Sequence, residues 1–178
     1  LLTFDDLFLQ GPVDTRSVLD LAKIMIEKRW EYLRFNPFPP PDQIINEEVG
    51  KISRGRLYRT AGVWALFDKA VLKSLLRKEE NAWQFELLGC ARSDIYENFY
   101  SVKKSKFPYL NGVIKGKWVP SVLKKLEEEG FYVGESTLPI MTKSEVVFYS
   151  LLKLRSLLFG SLIPKKFQRY IRQKTLKR

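Results

Sequence analysis

Apolar and polar positions alternate in short blocks along the chain, and the block lengths predict a mixture of short strands and helices. Residues 1–4 read as the end of a buried strand, broken by Asp5-Asp6 and resumed by Leu7-Phe8-Leu9. After the Gly11-Pro12 turn, Asp14 is placed to cap a helix running to about residue 30. Its apolar face would hold Val18, Leu21, Ala22, Met25 and Ile26. Residues 36–41 include four prolines, which dictates an extended loop. Segments 49–52 and 56–60 read as strands of a hairpin around Arg54-Gly55. Asp68 is expected to cap a helix through residue 78, burying Val71, Leu72, Leu75 and Leu76, and Asn81 to cap a second one beginning at Ala82. Strands are predicted over 100–102 and 113–118, with Asn111-Gly112 as a turn. Ser121 opens a helix that Gly130 closes, and helical stretches follow over about 144–159 and 164–177. No internal repeat is present.

Composition narrows the chemistry. The 4 Trp, 8 Tyr and 12 Phe, with 45% hydrophobic residues over 178 positions, supply a core and argue against a disordered chain. No run of about 18 apolar residues predicts a membrane-spanning helix, and no signal peptide is visible. Cys90 is the single cysteine and has no internal disulfide partner, which fits a reducing compartment, the cytoplasm. Histidine is absent, so a Ser-His-Asp triad, a Cys-His pair and a histidine-based zinc site are excluded. A general base must then be Asp or Glu, or less often Lys or Tyr. The chain begins at Leu1 inside an apolar run, as a fragment of a longer protein would.

Four groups of residues carry candidate chemistry. Asp5 and Asp6 place two carboxylates where an apolar strand breaks, and a divalent cation on a nucleotide diphosphate would satisfy them. An ordinary solvated strand end explains the same pair. Glu86, in Trp83-Gln84-Phe85-Glu86, stands among aromatics that favour a raised pKa and a basic role; a surface glutamate beside core aromatics is the alternative. In Tyr58-Arg59-Thr60-Ala61-Gly62-Val63-Trp64, a flat aromatic and a small-residue bend fit the floor of a sugar site, with Arg59 facing an anion. In Asn111-Gly112-Val113-Ile114-Lys115-Gly116-Lys117-Trp118, two glycines punctuate a basic strand and permit close ligand approach. Packing alone accounts for either segment.

Taken in order, these segments resemble bacterial glycosyltransferases of the GT-A type that act in capsule and lipopolysaccharide synthesis. The likeness runs from Leu1-Leu2-Thr3-Phe4-Asp5-Asp6 through Tyr58-Arg59-Thr60, Trp64 and Trp83-Gln84-Phe85-Glu86 to Asn111–Trp118, about two thirds of the chain. It implies an α/β fold: a partial GT-A-like mixed sheet with flanking helices and a C-terminal helical tail. Residues 1–143 would form the acceptor-side part and 144–178 a basic amphipathic tail. It also implies a divalent metal, Mn²⁺ or Mg²⁺, on Asp5 and Asp6, and Glu86 as the base that deprotonates the acceptor. Arg59, Lys115 and Lys117 would contact the nucleotide-sugar donor. The acceptor would be a glycan or a lipid-linked sugar. The chain departs from the pattern in having adjacent aspartates rather than Asp-x-Asp, and Ala61-Gly62-Val63 where the group favours Ser-Leu-Gln. The βα units that bind the nucleotide in such enzymes precede the acidic motif and are not in this sequence, so weak catalysis is expected of it alone.

Charge adds one partner. After Glu145 there are nine cations and no acid; without them, 22 cations stand against 20 acids, so the net charge of +11 belongs to the tail. Leu, Ile, Phe and Tyr lie among those cations, as in helices that rest on an anionic membrane surface. The expected location is therefore the inner face of the cell membrane. A non-catalytic membrane-associated interaction module fits the same tail. A nucleic-acid-binding protein is the remaining class, but no nucleic-acid motif occurs and no specific nucleic acid is expected.

Overall fold

The computed structural model describes residues 1–131 and 138–162, the side chains of 153 and 155–162 excepted. The predicted helix over 164–177 lies outside the described residues. The fold is mixed α/β, as expected, and the chain forms two compact units. The first comprises Leu1–Thr3 and Val13–Phe107, and the second Phe4–Pro12 and Pro108–Leu162. Each is described in its own right.

In the first unit the sheet has five strands. They are β2 (Tyr32–Arg34), β3 (Gln43–Ile44), β4 (Val49–Lys51), β5 (Ala65–Phe67) and β6 (Phe99–Val102), in the order β3-β4-β6-β2-β5. The β2–β6 pair is parallel and the other three pairs are antiparallel. Alternation along β2 splits the core between the two faces of the sheet. Leu33 and Phe35 pack with Leu21 and Met25 of α1 (Thr15–Glu27), whereas Tyr32 packs with Val71 and Leu75 of α2 (Lys69–Leu75) and Phe85 of α3 (Ala82–Arg92). Because β2 is buried on both faces it shows no polar alternation, and the sequence pattern did not reveal it.

The caps account for the helix limits. Asp14 accepts from the Ser17 amide at 3.0 Å, and Asn81 and Gln84 form a reciprocal capping box. The first helix stops short of Trp30 because Arg29 turns left-handed, with φ of 51°. The Arg29 and Trp30 amides then take the last free carbonyls, those of Ile26 and Met25. After Leu75 the chain is extended at Leu76, so the second helix also ends earlier than predicted. The strand expected over 56–60 is instead a turn: Tyr58 has φ of 51°, and the Arg59 and Gly62 amides bond to side chains of α3 rather than to a strand ladder.

In the second unit β1 (Leu7–Leu9) pairs antiparallel with β7 (Tyr109–Asn111). β8 (Val113–Ile114) and β9 (Lys117–Trp118) form a hairpin. Its turn is Lys115-Gly116, both with positive φ, and not Asn111-Gly112 as predicted. The helix α4 (Pro120–Glu128) starts one residue before Ser121, with Pro120 in its first turn, and Gly130 ends it at φ of 84°. Val122 and Leu126 pack on Trp118, with Phe8 alongside. The helix α5 (Lys143–Leu162) begins with reciprocal bonds between Thr142 and Glu145. Among the described residues no helix is long and apolar enough to cross a membrane.

Gly112 is needed for a reason other than a turn. A Cβ there would sit 2.2 Å from Phe8 Cε2, whereas one at Gly11 would meet nothing within 4 Å. Gly112→Ala is therefore expected to cost about 1–3 kcal/mol by overpacking. Gly11→Ala serves as its control, and denaturant midpoints of the two variants check the difference.

Candidate functional site

In the second unit the acidic pair lies in the turn that leads into β1. Asp5 is exposed and Asp6 is half-buried. The Asp6 carbonyl accepts from the Gly112 amide at 2.8 Å, which fixes the turn against the strand end. Its carboxylate Oδ1 is enclosed and has no hydrogen-bond donor among the described residues. Burial pushes the Asp6 carboxyl up, opposed by a backbone hydrogen bond, and the neighbouring Asp5 charge pushes the same way as burial. An enclosed carboxylate oxygen without a donor, next to a second carboxylate, is a donor set suited to a hard divalent cation. No group of three or more His, Cys, Asp or Glu stands together among the described residues, so any cation there needs further oxygens from its ligand.

The hairpin lysines differ from each other. Lys117 is tied to Glu145, Nζ to Oε1 at 2.5 Å. Lys115, at the tip, is 5.6 Å from the centre of the Tyr149 ring and has no carboxylate partner among the described residues. The Lys117 ammonium, with the Thr142 amide, holds the Glu145 carboxyl at about 2, well below its ordinary 4.5. A depressed carboxyl stabilises the fold fully above its ordinary value and loses that contribution as pH falls through the folded one. The thermal midpoints of wild type and Glu145→Gln should therefore differ at neutral pH and converge between pH 4.5 and about 2. A constant difference across that window would mean that the pair is not linked to folding.

In the first unit, residues 58–64 form a bend that is anchored from several sides. The Tyr32 hydroxyl donates to the Ala61 carbonyl at 3.0 Å and accepts from the Ala61 amide at 3.1 Å. Cys90 Sγ accepts from the Arg59 amide at 3.0 Å. Glu86 Oε1 accepts from the Gly62 amide at 2.9 Å, so its half-buried carboxylate is held against the bend. The aromatic setting expected for Glu86 is not the one found. Trp83 is 66% exposed, while Phe85 turns into the core.

Arg59 is not open to a ligand anion. It is fully buried, and its guanidinium donates to the carbonyls of Ile52 (3.2 Å), Ser93 (2.5 Å) and Tyr96 (2.9 Å). It also lies over the Phe99 ring at 4.1 Å. Burial pulls its pKa down to about 10. With its donors turned inward, Arg59 is a cross-link of the core. Trp64 packs rather than forming the floor of a sugar site: it stacks on Phe107 with centroids 4.5 Å apart.

Arg34 is the polar residue that sequence reasoning missed. It is fully buried on β2, donates to the Tyr58 and Pro39 carbonyls at 2.9 and 2.5 Å, and keeps an enclosed Nε without an acceptor among the described residues. Burial lowers its pKa, and the Glu86 charge acts in the opposite direction. An arginine between Leu33 and Phe35 was the available signal. Asp5, Asp6, Lys115 and Lys117 thus belong to the second unit, and Arg59 and Glu86 to the first. The first unit's cavity of about 560 Å³, between α1 and β5, contains none of these residues in its lining.

Compared with protein-family models, curated proteins and solved structures, the chain matches none.

Proposed function

We propose that this chain is the acceptor-side part of a GT-A-type glycosyltransferase that transfers a sugar from a nucleotide-sugar donor to a glycan or lipid-linked acceptor. The observation that carries the reading is the enclosed, donorless Asp6 carboxylate oxygen beside Asp5. The ordered motifs of the sequence add to it. Asp5 and Asp6 would hold Mn²⁺ or Mg²⁺, which supplies charge stabilisation to a leaving diphosphate. Glu86 is the base: held by the Gly62 amide, it accepts the proton of the attacking acceptor hydroxyl. Arg59 takes no part in donor binding, and the hairpin lysines are the remaining anion contacts.

Calorimetric titration of UDP, GDP and their sugars with Mn²⁺ tests the reading. Metal-dependent binding by the wild type, lost in the Asp5→Ala/Asp6→Ala double variant, is the expected result. The same titration on a longer polypeptide that carries βα units before Leu1 extends the test to a complete donor site. Absence of metal-dependent binding in both forms would sink the assignment.

A second reading, a non-catalytic module at the membrane surface, is favoured by α5, where Val147, Phe148, Leu151 and Leu154 are all more than half exposed.

A further inference from the structure

The second unit contains a groove of about 520 Å³ bounded by β7, β8, α4 and α5. Its volume lies within the range of small-molecule sites, which are mainly apolar with a few convergent polar groups. Ile114, Val122, Met141 and Val146 form the apolar wall, and Asn111, Tyr149 and Ser150 are the polar residues in it. Lys115 stands beside one of them, within cation–π distance of Tyr149 and without a carboxylate partner among the described residues. The groove therefore combines an apolar trough with an unneutralised cation.

We propose that this groove is a lipid site. An acyl chain of an anionic phospholipid at a membrane surface lies against Ile114, Val122 and Val146, and the lipid phosphate meets Lys115. Charge selects this occupant over others. The chain carries +11, and its residues after Glu145 include nine cations and no acid, so an anionic bilayer attracts it while a second copy is repelled. The helix that walls the groove also exposes Phe148 and Leu151, apolar area of the kind that enters a bilayer interface. Through the groove, one lipid would be held individually, which a merely cationic tail does not do. The site shares Lys115 with the proposed donor contacts but uses neither the acidic pair nor Glu86, so loss of vesicle binding and loss of metal-dependent nucleotide binding are distinguishable failures.

Flotation of the full chain with phosphatidylcholine vesicles, with and without phosphatidylglycerol, tests it. Two exposed positions allow variants with little risk to folding, Ser150→Phe and Lys115→Glu. Wild type is expected to float with the phosphatidylglycerol vesicles and about tenfold less with phosphatidylcholine alone. Lys115→Glu should weaken binding to the anionic vesicles about tenfold, since each basic residue near such a surface contributes about 1 kcal/mol and the reversal adds repulsion. Ser150→Phe distinguishes a groove from general stickiness by sign. Filling the groove weakens binding about tenfold, whereas an added phenyl ring on a helix that merely lies on the bilayer strengthens it. Thermal midpoints within a few degrees of wild type confirm that both variants fold. Binding unchanged in Lys115→Glu, binding strengthened in Ser150→Phe, or wild type that ignores vesicles and sediments as a dimer each overturns the proposal.

Discussion

Arg59→Met should lower the unfolding free energy by about 3–5 kcal/mol, a large fraction of the 5–15 kcal/mol typical of a native protein. Methionine fills much of the arginine stem's volume, so the loss comes chiefly from what the guanidinium bonded. The Ile52 carbonyl loses its donor, while the Ser93 and Tyr96 carbonyls lose a charged donor and keep the Tyr96 amide and Arg54 Nε respectively. An orphaned buried acceptor costs about 1–3 kcal/mol. Contact with the Phe99 ring is lost as well. Part of this is returned, because a buried cation no longer has to be desolvated, and two of the three carbonyls keep a second donor, which holds the figure to the lower part of the range. Arg59→Lys separates charge from geometry. It keeps the cation but not the planar fork that reaches three carbonyls, and should lie close to Arg59→Met. Urea or guanidinium denaturation of both variants decides the point. A loss under 1 kcal/mol for Arg59→Met would mean that the guanidinium is not the cross-link its contacts describe.

Local signals were readable from the sequence, and long-range ones were not. Asp14, Asp68 and Asn81 each cap the helix that follows, because a cap is made within three residues of its donor. Gly130 likewise ends its helix. By contrast, the interior strand β2 is three residues long and buried throughout, so neither period nor length marks it. Residues 56–60 read as a strand in the sequence because the partners that hold the turn, Tyr32, Glu86 and Cys90, are 24–31 residues away. Arg59 illustrates the same limit: its acceptors at Ser93 and Tyr96 are 34 and 37 residues distant, so an inward-turned guanidinium reads in sequence like any surface cation. For the acidic pair, adjacency was visible in the sequence, but only the structure distinguishes Asp6, with an enclosed oxygen, from its exposed neighbour Asp5.

The Glu86 carboxylate, held by the Gly62 amide, gives the second large expectation. Glu86→Gln should reduce sugar transfer by about 10²–10⁴-fold, the contribution usual for a positioned general base, while keeping the bond to the Gly62 amide. Glutamine preserves the Oε1 acceptor for the Gly62 amide, so the bend at 58–64 keeps its anchor. The Glu86 carbonyl bonds from Thr60 and Cys90 belong to the main chain and are indifferent to the change. What glutamine lacks is the capacity to accept and hold a proton. The two roles of this residue therefore predict opposite outcomes for one isosteric substitution. If Glu86 serves only to fasten the bend, Glu86→Gln transfers sugar at the wild-type rate and Glu86→Ala loses stability. If it is the base, Glu86→Gln matches wild type in denaturation and fails in turnover, measured on the polypeptide that binds the donor. Equal rates for wild type and Glu86→Gln on that polypeptide would remove Glu86 from the chemistry and leave it a structural carboxylate.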